Sequence, residues 1–246
     1  MSDVVKLAVD SRGIALVTME ERVHKNTFSR PLVDGLRATF AELGRRTDVR
    51  VVVLTGYENY FCCGGNKEEL LAMNEGRMRF TDMDFYDLLL RCELPVVSAM
   101  QGHGIGGGLV FGCTADVIVM ANEAIYCTKF MRYGFTPGFG ATCIIPKKFG
   151  EVLASEMLFT ASNYSGGQLR ERGAPMRIVP KKDVLAVAMG MAAELADKPL
   201  VSLKLLKRQL TAKLREELRD AVSAELRMQE TTFHLPEVRE RIEGLF

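Results

Sequence analysis

The sequence lacks most of the features that would make its function easy to place. Basic and acidic residues nearly cancel, leaving a formal net charge of +1 over 246 residues. Composition therefore gives no electrostatic footprint for nucleic acid or an anionic membrane surface. No run is long and apolar enough to span a bilayer. The opening residues, Met1-Ser2-Asp3-Val4-Val5-Lys6, lack the basic stretch and apolar core of a secretory signal. Six cysteines are too few for a disulfide scaffold and show no zinc-type pairing, and adjacent Cys62 and Cys63 are poorly placed to bond to each other. The expectation is free thiols in a reducing cytoplasm, with no metal site. No Ser/Pro-rich linker or low-complexity tract divides the chain. What is present is an ordinary globular composition, 48% hydrophobic and 26% charged, in a chain long enough to bury a substantial core.

One stretch is not ordinary. Gly102-His103-Gly104-Ile105-Gly106-Gly107-Gly108 carries five glycines in seven positions and closes the apolar run Pro95 to Met100. Such a cluster costs conformational entropy and implies special dihedrals or a close approach of backbone to something else. A strand feeds it and Leu109-Val110-Phe111 follows like the start of a helix. Backbone N–H groups at such a junction point outward unpaired, which suits negative charge.

Around it, periodicity predicts an α/β chain. Val4 to Thr18 reads as a hairpin about Asp10-Ser11-Arg12-Gly13, and Pro31 opens a helix with Leu32, Leu36, Phe40 and Leu43 on one face. Arg50–Thr55 reads as a strand buried on both sides, followed by a second glycine-bearing loop, Phe61-Cys62-Cys63-Gly64-Gly65, and a helix from Lys67. Asn74 to Asp84 reads as a mobile loop and Phe85 to Cys92 as a helix. Strands follow at Asp116–Met120 and Ile125–Cys127, then a turn-rich loop from Gly134 to Gly140. The remainder reads as helical, with Leu203, Leu206, Leu210, Leu214, Leu218, Val222 and Leu226 forming a long stripe that Pro236 ends. That stripe suits either the chain's own core or a neighbouring subunit.

Gly102, Gly104 and Gly107 satisfy G-x-G-x-x-G, and Glu123 stands about 20 residues on, where a ribose-binding acid is expected. Only Gly108 to Ala115 separates the glycines from the next strand, too little for the crossover helix of a dinucleotide fold. No Gly-Lys-Ser/Thr follows them, which excludes a P-loop.

The two strand–loop–helix junctions, with Val52-Val53-Leu54-Thr55-Gly56, Pro95 to Gly102, Ala115-Asp116 and Thr136-Pro137-Gly138, resemble the crotonase superfamily of enoyl-CoA hydratases and isomerases over essentially the whole chain. The resemblance implies a crotonase-like spiral of ββα units (residues 1–195) with a C-terminal helical region (196–246) in the same domain, serving trimerisation and covering the active site. It also implies a homotrimer or dimer of trimers. Two backbone N–H groups, matching Gly65 and Gly107, would polarise a thioester carbonyl, and any side chain at those positions would obstruct the oxygen. Each such donor is worth roughly 10²–10³ in rate.

The departures narrow the reading. Hydratases of the family carry one glutamate just beyond the triple glycine and another before the T-x-P-G-like loop; the matching positions are Val110 and Phe130. Neither side chain can move a proton. Decarboxylation generates an enolate without a general base. Glu21 to Ser29, Thr55 to Phe61, Met100 to Gly108 and Lys129 to Gly138 resemble the decarboxylating branch found in polyketide β-branching cassettes. That branch implies a 3-methylglutaconyl thioester on an acyl carrier protein, or on CoA, with no cofactor beyond the phosphopantetheine arm.

The same resemblance suggests roles for other residues. His234, one of three histidines, matches a C-terminal histidine near the substrate carboxylate, where it would bind that group or protonate the dienolate. Arg79 stands where the branch has a lysine, with Lys67 and Arg77 as rivals. Arginine would hold a carboxylate bidentately but does not give up its proton, so protonation would fall to His234 or water. Lys25 and Asn26 lie with His24 in the loop that runs near the pantetheine arm, a plain solvated loop being the alternative. Tyr133 and Tyr86 offer hydroxyls near the site or simply pack in the core, and His103 suits a structural role. An isomerase or hydratase using other residues, and a non-catalytic carrier-binding scaffold, remain the alternatives.

Overall fold

The structure is a computed structural model that describes residues 3–245. The expected hairpin forms from β1 (Val5–Val9) and β2 (Ile14–Met19), antiparallel with Val5 opposite Met19. Helix α1 (Arg30–Arg45) opens with proline in its first turn and buries Leu32, Val33, Leu36, Phe40 and Leu43, the stripe its spacing predicts. It crosses to β3 (Val51–Thr55), which lies parallel to β2 and is buried along its whole length.

From β3 onward the chain winds as a spiral that lays one strand in each of two sheets per turn. The first turn gives β3 and β4 (Tyr60–Cys62), then α2 (Lys67–Asn74) and α3 (Leu88–Arg91). The second gives β5 (Val96–Met100), β6 (His103–Ile105) and α4 (Gly107–Cys113); the third gives β7 (Val117–Ala121) and β8 (Ile125–Cys127). After α5 (Ala141–Phe149) and α6 (Glu151–Thr160) come β9 (Tyr164–Ser165), α7 (Gly166–Glu171) and β10 (Arg177–Val179). The six-stranded sheet runs β1-β2-β3-β5-β7-β10 and the four-stranded sheet β4-β6-β8-β9. Apart from the β1–β2 hairpin and the β8–β9 pair, every pairing is parallel. Parallel strands need cover on both faces, and β3 and β5 are accordingly buried at every position. Helix α8 (Val184–Ala196) packs across β3, β5 and β7.

The last fifth is helical. Helix α9 (Leu200–Thr232) packs on α5, and α10 (Pro236–Leu245) on α2. The leucine stripe of α9 splits halfway. Leu218 and Val222 are buried, whereas Leu206 and Leu210 are 55% and 71% exposed. In the N-terminal half the buried face carries Leu203, Lys207 and Thr211, so one leucine edge turns outward. Lys207 is held there by Asp116 at 2.7 Å and by the carbonyls of Leu89 and Leu94.

Three local expectations shift. The segment read as a loop from Asn74 to Asp84 holds a short 3-10 helix, Phe80–Met83, because Phe80 anchors it in the core. The helix expected from Phe85 to Cys92 shrinks to α3, since Phe85 is spent ahead of it in an aromatic cluster. β9 and β10 are two and three residues long, too short to show alternation in the sequence.

Candidate active site

The two glycine-bearing loops meet back to back. A Cβ on Gly108 would stand 2.1 Å from the carbonyl oxygen of Cys62, and one on Gly64 would stand 3.2 Å from the Gly107 nitrogen. No side chain fits in that seam, which is why glycine is required on both sides of it. Gly64 and Gly106 also have φ of 75° and 55°, the left-handed region that glycine occupies without strain.

Peptide geometry then fixes where two N–H groups point. The Gly64 carbonyl accepts from Phe28 N–H at 2.7 Å, and the Gly106 carbonyl from Val110 N–H at 3.3 Å. Every described peptide is trans, so the next N–H in each case, that of Gly65 and of Gly107, points the opposite way. Among the described residues neither N–H has a protein acceptor. Both glycines line one cavity of ≈ 530 Å³. Two unpaired donors facing the same space can hold an oxygen bearing negative charge.

The cavity wall is mainly apolar and includes a run of packed aromatic rings. Phe135 stacks on Phe233 at 4.1 Å and on Tyr133 at 6.0 Å, and meets Phe130 edge-on at 6.2 Å. Burial pushes the Tyr133 phenol above its usual value. Lys25, Lys67 and Lys129 reach the wall, and among the described residues Glu68 is the one carboxylate that does. Cys63 also lines it, with a thiol that burial pushes up to about 11, so it stays protonated at neutral pH. No group of three or more described His, Cys, Asp or Glu side chains could hold a metal ion.

Of the residues singled out from sequence, Gly65, Gly107, His24, Lys25, Lys67, Phe130 and Tyr133 come together around this cavity. Lys67 opens α2 two residues after Gly65 and donates to the Glu243 carbonyl at 3.2 Å. Asn26 does not present its side chain to the cavity. It is fully buried, accepting from Glu21 N–H at 2.8 Å and donating to the carbonyls of Met19 and Phe61 at 3.0 Å each. Its left-handed backbone (φ 54°) suits asparagine, and its role in this structure is to tie the loop to β4.

Arg79 and His234 also lie outside the wall. Arg79 is exposed, 3.5 Å from Glu230. The exposed His234 ring donates through Nδ1 to the Asn74 carbonyl at 2.7 Å, which leaves Nε2 as its free nitrogen. Both are tethered where the end of α9 meets α2, and Phe233, beside His234, does line the cavity. Arg77 pairs with Glu75 at the surface. His103 accepts from Ile125 N–H at 3.0 Å, and burial lowers its pKa, in keeping with a structural role.

Phe28, Lys129 and Gln229 line the cavity without having been singled out. Gln229 donates to the Thr136 carbonyl at 3.2 Å, and Glu225, one turn earlier, accepts from Gly140 N–H, Thr142 N–H and the Thr142 hydroxyl. These contacts hang the Thr136-Pro137-Gly138 loop from α9. Only the chain's return across the core makes them visible.

The enoyl-CoA hydratase/isomerase family model matches residues 10–245, and the chain belongs to that family. Within it, the chain is 47% identical to bacillaene synthase decarboxylase PksI of Bacillus subtilis over 243 residues, 99% of this chain and 98% of that one. A solved structure from a dehydratase/decarboxylase enzyme couple involved in polyketide β-branching superposes with a TM-score of 0.98 at 47% identity, covering 99% of each chain. The ECH2 decarboxylase domain of CurF from Lyngbya majuscula superposes with a TM-score of 0.95 at 40% identity, again over 99% of each.

Proposed function

We propose that the protein is a decarboxylase of a 3-methylglutaconyl-type thioester carried on an acyl carrier protein in polyketide β-branching. The observation that carries this reading is the pairing of two acceptor-free glycine N–H groups with a wall that holds Phe130 where a hydratase needs an acid. The 47% identity to a named decarboxylase over nearly the full chain supports it.

The thioester oxygen sits between Gly65 and Gly107 as in an oxyanion hole. The bond from the acyl chain to its carboxylate breaks, carbon dioxide leaves, and the bonding pair enters a dienolate whose oxygen the two N–H groups hold. A proton then quenches the carbon end. The apolar wall favours this direction, because a compact carboxylate loses more by desolvation than a delocalised dienolate does. Of the three lysines on the cavity wall, Lys67, two residues after Gly65, is the one assigned to the carboxylate. Arg79 and His234 reach it by turning their exposed side chains inward from the α2–α9 corner, His234 then relaying a proton that Nε2 takes up from solvent to the dienolate carbon.

No cofactor is required beyond the phosphopantetheine or CoA arm that carries the substrate. The outward edge of α9, with Val201 70% exposed and Leu210 71%, offers an apolar surface for a neighbouring subunit in the proposed trimer. Unpaired thiols throughout the described chain suit a reducing cytoplasm.

Incubation with 3-methylglutaconyl on its carrier, followed by the intact mass of the carrier, separates the readings. Loss of carbon dioxide supports decarboxylation. Addition of water points to a hydratase using Glu68; unchanged mass at high enzyme concentration points to an isomerase if NMR of the released acyl chain shows a shifted double bond, and to a scaffold if it does not.

A further inference from the structure

The two donors come from loops about forty residues apart in sequence, and one residue touches both. Through its backbone, Phe28 N–H holds the Gly64 carbonyl at 2.7 Å and so sets the direction of the Gly65 N–H in the same peptide. The preceding residues extend that grip: Cys63 N–H donates to the Asn26 carbonyl at 3.2 Å, and the Cys62 thiol donates to the same oxygen. Through its side chain, Phe28 occupies the space beside Gly107. A Cβ at Gly107 would stand 2.7 Å from Phe28 Cε2, closer than packed atoms come, so the ring lies against that backbone.

The ring cannot easily yield. It stacks on Phe139 at 4.8 Å with planes 17° apart, and meets Phe85 edge-on at 4.6 Å and Phe111 at 6.3 Å. Phe28 is 3% exposed, and that small exposure is to the cavity.

We infer that Phe28 is a positioning residue that sets the spacing of the two oxyanion donors, its backbone aiming Gly65 and its ring bracing Gly107. The inference rests on the reading of those N–H groups as an oxyanion hole. A donor that drifts by a few tenths of an ångström polarises the ground-state carbonyl less, which a vibrational probe reads, but adds little to overall binding; the loss of stabilisation is largest for the transition-state oxyanion, where the charge develops. Loss of the ring is therefore felt in kcat rather than KM.

The test uses the full-length protein with 3-methylcrotonyl-pantetheine carrying ¹³C at the thioester carbonyl, a probe with no carboxylate to lose. Its carbonyl stretch is read by infrared difference spectroscopy in the wild-type protein, Phe28→Leu and Phe28→Ala. Phe28→Leu keeps the site filled if the alanine variant does not fold, and thermal melts check both. The expected result is a lowered frequency in the wild-type protein that returns toward its solution value in the variants. The expected companion is a fall in kcat on the order of 10² for Phe28→Ala with KM within about threefold, the size of losing one donor. An equal lowering in all three proteins overturns the role of Phe28 while leaving the oxyanion hole intact. An unshifted frequency in saturated wild-type protein overturns the oxyanion hole, and the inference with it.

Discussion

Adding a single methyl group at Gly107 tests the proposed chemistry at its tightest point. The new Cβ would stand 2.7 Å from Phe28 Cε2 and 3.6 Å from Phe139 Cγ, while an ordinary contact begins near 3.4 Å. Phe28 is stacked against Phe139 and edged by Phe85, so the overlap is relieved by moving the Gly107 backbone and its N–H. Overpacking of this kind costs about 1–3 kcal/mol of stability, which a chain of this size survives. Misplacing one oxyanion donor costs about 2.7–4 kcal/mol in the transition state, or roughly 10²–10³ in kcat. Gly107→Ala is therefore expected to remain folded by circular dichroism while its decarboxylation, followed by the mass of the carrier, falls by at least about 10². Gly108→Ala is the contrast: its Cβ would stand 2.1 Å from a backbone oxygen, and it is expected to fail to fold. Wild-type kcat in Gly107→Ala would refute the reasoning.

Other predictions follow from the surroundings of the site. Glu69 has one buried oxygen without a partner, and burial raises its pKa from 4.5 to about 7. Because folding raises this pKa, its carboxyl contributes no penalty below about pH 4.5; stability falls between about 4.5 and 7 and stays lowered above that. The full shift is about 3.4 kcal/mol, and partial exposure reduces it to about 1 kcal/mol. Glu69→Gln should thus melt about 2–4 °C above wild type at pH 8, with the gap closing toward pH 5; an equal gap at both values refutes this. Lys67→Ala should raise KM for the carboxylated thioester about tenfold, whereas His234→Ala should lower kcat by about 10²–10⁴ with KM little changed, both read by initial rates. Full activity in His234→Ala removes that residue from the chemistry. Leu206→Glu with Leu210→Glu should sediment as monomers in analytical ultracentrifugation where the unsubstituted protein sediments as the proposed trimer, because both side chains lie on the exposed edge of α9; a trimer that survives both substitutions places its interface elsewhere.

Residues whose neighbours lie close in sequence were legible before the fold was known. The β3 run, the α1 stripe and the glycine junctions follow from spacing and backbone freedom, whereas the choice of Gly65 and Gly107 rests on the family resemblance; in the structure both line one cavity. Asn26 shows the limit: the family resemblance puts its loop near the pantetheine arm, but its amide is consumed by Met19, Glu21 and Phe61 once β2 and β4 converge. Phe28 shows the converse. An aromatic residue before a helix reads as core, and only the approach of Gly64 and Gly107 from two separate turns of the spiral shows what it holds. The α9 stripe was sound as a helix, but periodicity alone could not divide it into its buried and outward halves.

The most direct test of the central claim is to run the reaction on 3-methylglutaconyl-carrier protein in deuterium oxide and compare carbon dioxide released with deuterium gained. A dienolate held by Gly65 and Gly107 gives one solvent deuterium in the acyl chain for each carbon dioxide lost. Deuterium exchange with the carboxylate retained, or no carbon dioxide at all, would contradict the account.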